Sequence, residues 1–215
     1  KATSVNIKVW GSDKAGALAL STGSTLTVGA GKESILNLAA AASEQDALYV
    51  TVSSEDTPVA AMVRTITMDG LTSKGSDYAV PNNVSAKTLA INGLSEGDDV
   101  NLYVYPSQQA DVTVSWTDGT GTKNTNQQTL EANRVSVIDL GSVPKSATGL
   151  TISATEPVTA AAKVTNDGDG DQADFALVNA SVPMNVSAIA VPDHATAQVS
   201  VTNTSDDDRT ATLTS

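Results

Sequence analysis

The chain has 215 residues, a formal net charge of −12, no cysteine and only 3% aromatic residues. The acidic balance argues against nucleic acid as a partner, because such a surface repels phosphate backbones, and it disfavours anionic lipid surfaces for the same reason. The lack of cysteine excludes disulfide bonds and thiol catalysis, and no apolar run approaches the roughly 20 residues of a membrane span.

The predicted elements are strands from the first residues onward. Val5 to Val9 alternates apolar and polar side chains up to Trp10, and Val112 to Trp116 repeats this pattern. Between them, apolar segments predict seven further strands at Leu26–Val28, Ser34–Leu38, Leu48–Val52, Val59–Thr65, Tyr78–Val80, Thr88–Ile91 and Leu102–Tyr105. We interpret the alanine run at 39–42 as a loop. Abundant Ser, Thr and Asn and scarce long helix formers indicate an all-β protein.

The chain repeats itself at a distance of about one domain. Thr57–Arg64 returns as Glu156–Lys163, offset by 99 residues, and Asp77–Val80 returns as Asp174–Leu177, offset by 97. A period this long predicts two complete domains, residues 1–108 and 109–215, each an antiparallel β-sandwich of immunoglobulin-like or jelly-roll-like type. The turn between them is short and polar, so we expect a restricted angle between the domains.

The repeated strands also suggest a cross-strand ion pair in each copy. If Pro-Val-x-Ala-Ala and Asp-Tyr or Asp-Phe form a hairpin, Arg64 lies opposite Asp77 and Lys163 lies opposite Asp174. Each pair would contribute about 0.2 to 1 kcal/mol.

One acidic loop is a weak calcium candidate. Asp167, Asp169 and Asp171 stand at alternate positions, as carboxylates do in calcium loops. The loop lacks the glycine and the distant glutamate of an EF-hand, and the first copy has no equivalent, so the competing interpretation is a solvated hairpin tip. We therefore expect no metal and no cofactor.

Catalysis has little support in the sequence. His194 is the single histidine, it lies in a polar turn beside an aspartate, and no Gly-x-Ser-x-Gly elbow accompanies it. We expect a protein that is not an enzyme.

Two tyrosines are a weak candidate for a sugar platform. Tyr103 and Tyr105 share one face of a predicted strand, and carbohydrate-binding sandwiches stack sugars on exposed aromatic rings. This interpretation requires both rings to be exposed and coplanar, whereas a structural role predicts buried rings with satisfied hydroxyls.

Three segments carry a resemblance to a known family: Pro58–Ala61, Pro157–Ala161 and Val201–Ser205. With the Val-rich opening strands they resemble an uncharacterised family of secreted actinobacterial proteins, which is known only as a domain of unknown function. The resemblance implies an exported, envelope-associated β-sandwich and brings no catalytic residues.

The function expected from these observations is a non-enzymatic extracellular module of a bacterial surface or secreted protein, acting in spacing or display. Its partner would be an unknown protein or an envelope glycan, and any membrane attachment would come from an anchor outside this chain. The alternative is a carbohydrate-binding module that uses exposed tyrosines.

Overall fold

The computed structural model describes the chain except for residues 1, 22, 43–44, 56, 71, 80, 95–96, 119, 143–148, 167–173, 185–200, 202, 204–206, 208–209 and 213–215. The described elements, in chain order, are β1 (Thr3–Gly11), β2 (Thr25–Val28), α1 (Ala39–Ala42), β3 (Leu48–Ser54), β4 (Val63–Asp69), β5 (Thr72–Ala79), β6 (Ala86–Asn92), β7 (Asp99–Pro106), β8 (Ala110–Thr117), β9 (Lys123–Leu130), β10 (Ser136–Ser142), β11 (Gly149–Asn166) and β12 (Asp174–Asn179). The all-β prediction is confirmed.

Within the described residues the strands form three sheets, and their pairings are antiparallel. The small sheet has the order β2-β1-β3, and the hairpin β4-β5 forms a separate two-stranded sheet. The large sheet has seven strands in the path β10-β7-β11-β8-β9, with β6 and β12 also paired to β11.

Strand β11 organises the large sheet because its two halves have different neighbours. Residues 149–154 pair with β6 and β8, whereas residues 158–166 pair with β7 and β12; at the start of this second half, Val158 also pairs with Ala86 of β6. Strands β7 and β8 follow β11 along its length and are interrupted at 107–109, near the irregular register of β11 between Ser153 and Val158. One buried cluster takes residues from both halves, including Leu89, Leu102, Val114, Ile152 and Ala162.

The alternation of side chains explains which face each strand buries. In β7 the side chains of Val100, Leu102 and Val104 are fully buried, and in β11 the same holds for Val158 and Ala162. The intervening residues of these strands, such as Asn101, Tyr103 and Lys163, lie on the opposite face and are half-buried. On this second face, Tyr105 contacts Trp10 and Tyr49 of the small sheet, as described below.

The large sheet takes strands from both sides of the predicted boundary between residues 108 and 109. Strands β6 and β7 precede that boundary, yet both pair with β11. The duplicated segments also pair differently, since Arg64 lies opposite Tyr78 but Lys163 lies opposite Leu177. The tandem duplication, the sandwich architecture and the division at residue 108 stay predictions.

The predicted ion-pair registers are wrong, and the hairpin β4-β5 shows why. Thr65, not Arg64, lies opposite Asp77, because a bulge between Thr67 and Met68 shifts the register by one residue. The extra residue is Lys74, which stands between the partners of Met68 and Thr67.

In the second copy the shift is larger. Asp174 lies opposite Asn166, three positions beyond Lys163 on β11. A short local motif does not fix the number of residues in the connecting loop, and that number sets the register.

Two further assignments need correction. Ala39–Ala42 forms a short helix instead of a loop, because alanine has the highest helix propensity and the Asn37 side chain accepts a hydrogen bond of 2.8 Å from the Ala39 amide. The segment 34–38 is not a strand, although Leu36 and Leu38 pack against the core of the small sheet.

Candidate functional site

The candidate site is the contact between the small and the large sheet, which aromatic rings and hydrogen bonds form. At its centre lies a cluster of three aromatic rings, from Trp10 of β1, Tyr49 of β3 and Tyr105 of β7, which we call the aromatic junction. The chain has only seven aromatic residues, so three of them at one contact are a large share of its bulky side chains.

The rings of the aromatic junction are in direct contact. Tyr49 and Tyr105 are stacked with centroids 4.0 Å apart and planes inclined by 13°. Trp10 is tilted against both, with centroids 5.5 Å from Tyr49 and 5.3 Å from Tyr105. Such pairs stabilise by about 0.5 to 1.5 kcal/mol beyond the burial of their area.

The local sequence explains how the three rings meet. Trp10 and Tyr49 are directly paired across β1 and β3, and both follow alternating apolar positions in their strands. Tyr105 lies on one face of β7, and Leu102 and Val104 lie on the other face. On the face of Tyr105, the neighbouring strand β11 contributes the small side chains of Thr159 and Ala161. These small neighbours leave room for the ring of Tyr49.

Beside the rings, the turn between β9 and β10 is tied to the segment that follows β1. The amide of Gly16 donates to the carbonyl of Asn133 at 2.8 Å, and the amide of Val135 donates to the carbonyl of Gly11 at 3.0 Å. The Arg134 Nε donates to the carbonyl of Ser12 at 2.7 Å, while its Nη1 pairs with Glu131 at 2.9 Å. We call this set of contacts between residues 11–16 and 131–135 the clasp.

Asn133 connects the clasp to the aromatic junction. Its Oδ1 accepts the hydroxyl hydrogen of Tyr105 at 3.1 Å, and its amide donates to the carbonyl of Pro106 at 2.8 Å. Its φ of 57° lies in the left-handed region, which asparagine tolerates better than other residues with a side chain. One residue therefore holds β7, the Tyr105 ring and the segment after β1.

Tyr105 is buried and its hydroxyl has a partner, which is the outcome expected of a structural residue. Burial raises the pKa of Tyr105, with a smaller contribution from Tyr49. Tyr103 shares its strand face, as predicted, and is half-buried. Burial also raises the pKa of Tyr103, and the nearby carboxylate of Asp46 raises it further.

The segment before β3 is hydrogen-bonded to the residues that follow β1. Its backbone is fixed by Ser12, whose Oγ accepts hydrogen bonds from the amides of Asp46 at 2.9 Å and Ala47 at 3.2 Å. The Gln45 Oε1 accepts from the Asp13 amide at 2.8 Å. Tyr49, three residues after Asp46, stacks on Tyr105 of the proposed sugar platform.

The other sequence candidates lie outside the described residues. These are the calcium candidates Asp167, Asp169 and Asp171, and also His194. In the described part of the chain, no group of three or more His, Asp or Glu side chains is arranged to hold a metal ion. No helix of the described residues has the length and apolar character needed to cross a membrane.

Sequence reasoning missed most of the junction. No motif in the sequence links Tyr49, Asn133 or Arg134 to β1. The available signal was Asn133 in a polar turn, where asparagine is favoured because it tolerates positive φ. This feature predicts a turn but does not indicate which other segment of the chain contacts that turn.

A family comparison covers the whole chain. The model of a family of unknown function, DUF5719, matches residues 1–215, and the chain belongs to this family. Neither the curated proteins nor the solved structures include a match.

Proposed function

We propose that this chain is a non-enzymatic structural module of a bacterial surface or secreted protein, which holds or presents neighbouring segments at a fixed geometry. The observation that carries the proposal is the joint between the two sheets. Three stacked or tilted rings, two backbone hydrogen bonds and one arginine side chain connect elements far apart in sequence. A spacer needs such a joint, because a flexible connection would let its two parts reorient freely.

The charge supports a location outside the cell. A net charge of −12 keeps neighbouring copies apart and soluble, and a chain without cysteine does not depend on the redox state of its compartment. The resemblance to secreted actinobacterial proteins, carried by Pro58–Ala61 and Pro157–Ala161, points to the same setting.

The alternative function, carbohydrate binding by Tyr103 and Tyr105, has less support. A sugar platform needs open ring faces, but Tyr49 covers one face of Tyr105 and Asn133 engages its hydroxyl. Of the two tyrosines, only Tyr103 keeps a partly exposed ring.

Small-angle X-ray scattering of the dilute chain tests the structural proposal. We expect a single compact conformation for the natural sequence and a broader distance distribution for Tyr105→Ala. The matched control is Trp116→Ala, which removes a half-buried ring that packs on the core of the large sheet, outside the aromatic junction. Equal broadening in both variants, or a flexible natural chain, would contradict the proposal.

A glycan array tests the alternative. The structural proposal predicts no specific sugar binding. Binding to a defined sugar that Tyr103→Ala abolishes, in a chain that remains folded by circular dichroism, would replace it with the carbohydrate-binding function.

A further inference from the structure

The end of β6 carries a pair of residues that can react with each other. Asn92 is the last residue of β6, and Gly93 follows it directly. No other asparagine of the chain precedes a glycine. Asparagine is a thermolabile residue, and a following glycine has no Cβ that would hinder the approach of its backbone nitrogen to the asparagine side chain. The pair is therefore a candidate for a reaction between the backbone and a side chain.

Both reacting groups of this pair are open in the structure. The side chain of Asn92 is exposed, and so is Gly93. Within the described part of the chain, neither the Asn92 side chain nor the Gly93 amide forms a hydrogen bond. Gly93 lies beyond the last paired residue of β6, at a φ of 83° that glycine adopts without strain. The nitrogen of Gly93 can therefore approach the Asn92 side chain without losing a hydrogen bond to another described residue.

The nearby Asn83 shows the contrasting case. Its side chain is also exposed, but the next residue is Val84, whose branched side chain crowds the backbone nitrogen. The amide of Val84 also donates a hydrogen bond of 3.0 Å to the Oδ1 of Asn82. The nitrogen that would attack Asn83 is thus engaged, whereas the equivalent nitrogen of Gly93 is not.

We propose that Asn92 is a site of spontaneous deamidation, in which the Gly93 amide nitrogen attacks Cγ of Asn92. The new N–Cγ bond closes a five-membered imide ring, the Cγ–Nδ2 bond breaks, and Nδ2 leaves as ammonia with the proton of the Gly93 amide. Water then opens the ring at one of its two carbonyl carbons. Opening at Cγ gives aspartate, and opening at the backbone carbonyl gives isoaspartate, whose main chain runs through Cβ and Cγ. No atom is oxidised or reduced.

The reaction changes both the charge and the backbone of the chain. Either product adds one carboxylate to a chain of net charge −12. Isoaspartate also lengthens the main chain between Ile91 and Leu94, which are both buried in the core of the large sheet. The added carbon lies where Asn92 pairs with Gly149 at the start of β11. We therefore expect conversion to isoaspartate to lower the melting temperature. This inference does not rest on the proposed structural function.

Peptide mapping of the full chain during incubation at mildly alkaline pH tests the proposal. Trypsin cleavage after lysine places Asn83 and Asn92 in separate fragments, 75–87 and 88–123, and an unincubated sample gives the baseline. We expect fragment 88–123 to gain the mass difference between an NH2 and an OH group well before fragment 75–87 does. It should also separate into aspartate and isoaspartate forms, with fragmentation placing the change at Asn92. The rate should rise with pH, because the attacking nitrogen must lose its proton.

The matched variant is Asn92→Gln, which keeps the amide but would have to close a less favourable six-membered ring. With its fold checked by circular dichroism, we expect the variant to lose the conversion of fragment 88–123. After incubation the natural chain should melt at a lower temperature, whereas Asn92→Gln should keep its melting temperature. An unchanged fragment 88–123, conversion of the two fragments at equal rates, or equal conversion in Asn92→Gln would overturn the proposal.

Discussion

Removal of the Tyr105 hydroxyl or ring should lower the free energy of unfolding by amounts that follow from the contacts of Tyr105. Tyr105→Phe loses the hydrogen bond to Asn133 at 3.1 Å, and a bond of this kind contributes about 0.5 to 1.5 kcal/mol. For a chain of this size, 1 kcal/mol shifts the melting temperature by about 2 to 4 °C. We therefore expect Tyr105→Phe to melt about 1 to 6 °C lower. Tyr105→Ala also loses the buried ring, at a cost of about 3 to 5 kcal/mol.

The stack between Tyr49 and Tyr105 can be isolated from the other effects by a double-mutant cycle. Tyr49→Ala, Tyr105→Ala and the double variant are unfolded in urea and followed by far-ultraviolet circular dichroism. A ring pair with centroids 4.0 Å apart predicts a coupling free energy of about 0.5 to 1.5 kcal/mol.

The control cycle pairs Tyr49→Ala with Trp116→Ala. Trp116 packs on the core of the large sheet and belongs to none of the ring pairs of the aromatic junction, so its effect should add to that of Tyr49 within about 0.3 to 0.5 kcal/mol. Additivity in the Tyr49 and Tyr105 cycle as well would refute the argument that the stack joins the two sheets. A changed urea slope in any variant would show either that the substitution altered the compactness of the denatured or native state, or that the unfolding is not a single transition.

Three further predictions follow from single residues. Asn133→Ala should destabilise the chain more than Asn133→Gly, because alanine keeps a side chain at a φ of 57°, which costs about 1 to 2 kcal/mol. Both variants lose the hydrogen-bond acceptor for Tyr105, and urea unfolding measures the free energy of unfolding of each. The hydrogen bond from the Thr120 hydroxyl, followed by that from the Thr122 amide, holds the pKa of Asp118 below its ordinary value. The contribution of Asp118 to stability is therefore present above the unfolded-state pKa and is lost as the pH falls through the folded-state pKa. Carboxyl NMR titration should show this low pKa and its rise in Thr120→Ala. Burial raises the pKa of Tyr103 and of Tyr105, so their contribution is present below the unfolded-state pKa and is lost as the pH rises through the folded-state values, which ultraviolet titration of tyrosinate measures.

The strands were the part of the fold that the sequence predicted best. Alternation of side chains located β1, β3, β7 and β8 close to their observed bounds, because a strand with one buried face needs that period. The short strand predicted at 34–38 failed, since Leu36 and Leu38 are packed without a strand partner. Alternation reports burial, and burial does not require strand pairing.

Strand register and long-range pairing could not be predicted from the sequence, for a physical reason. The bulge that carries Lys74 moves Arg64 away from Asp77 by one position, and no residue type marks that bulge in advance. The aromatic junction could not be predicted for a similar reason. Tyr49 and Tyr105 are 56 positions apart, and nothing in their local sequence shows that they stack. A pattern within one segment defines its own faces but not the segment that covers them.

The central claim is that the small and the large sheet are held as one body, and a distance measurement by electron resonance tests it most directly. The substitutions Thr27→Cys on β2 and Gln127→Cys on β9 introduce two exposed cysteines for spin labelling. Because the natural chain has no cysteine, the labels attach only at these two positions. We expect one narrow distance for this pair, which broadens when Tyr105→Ala is added. A broad or multiple distribution in the chain with Tyr105 intact would contradict the account.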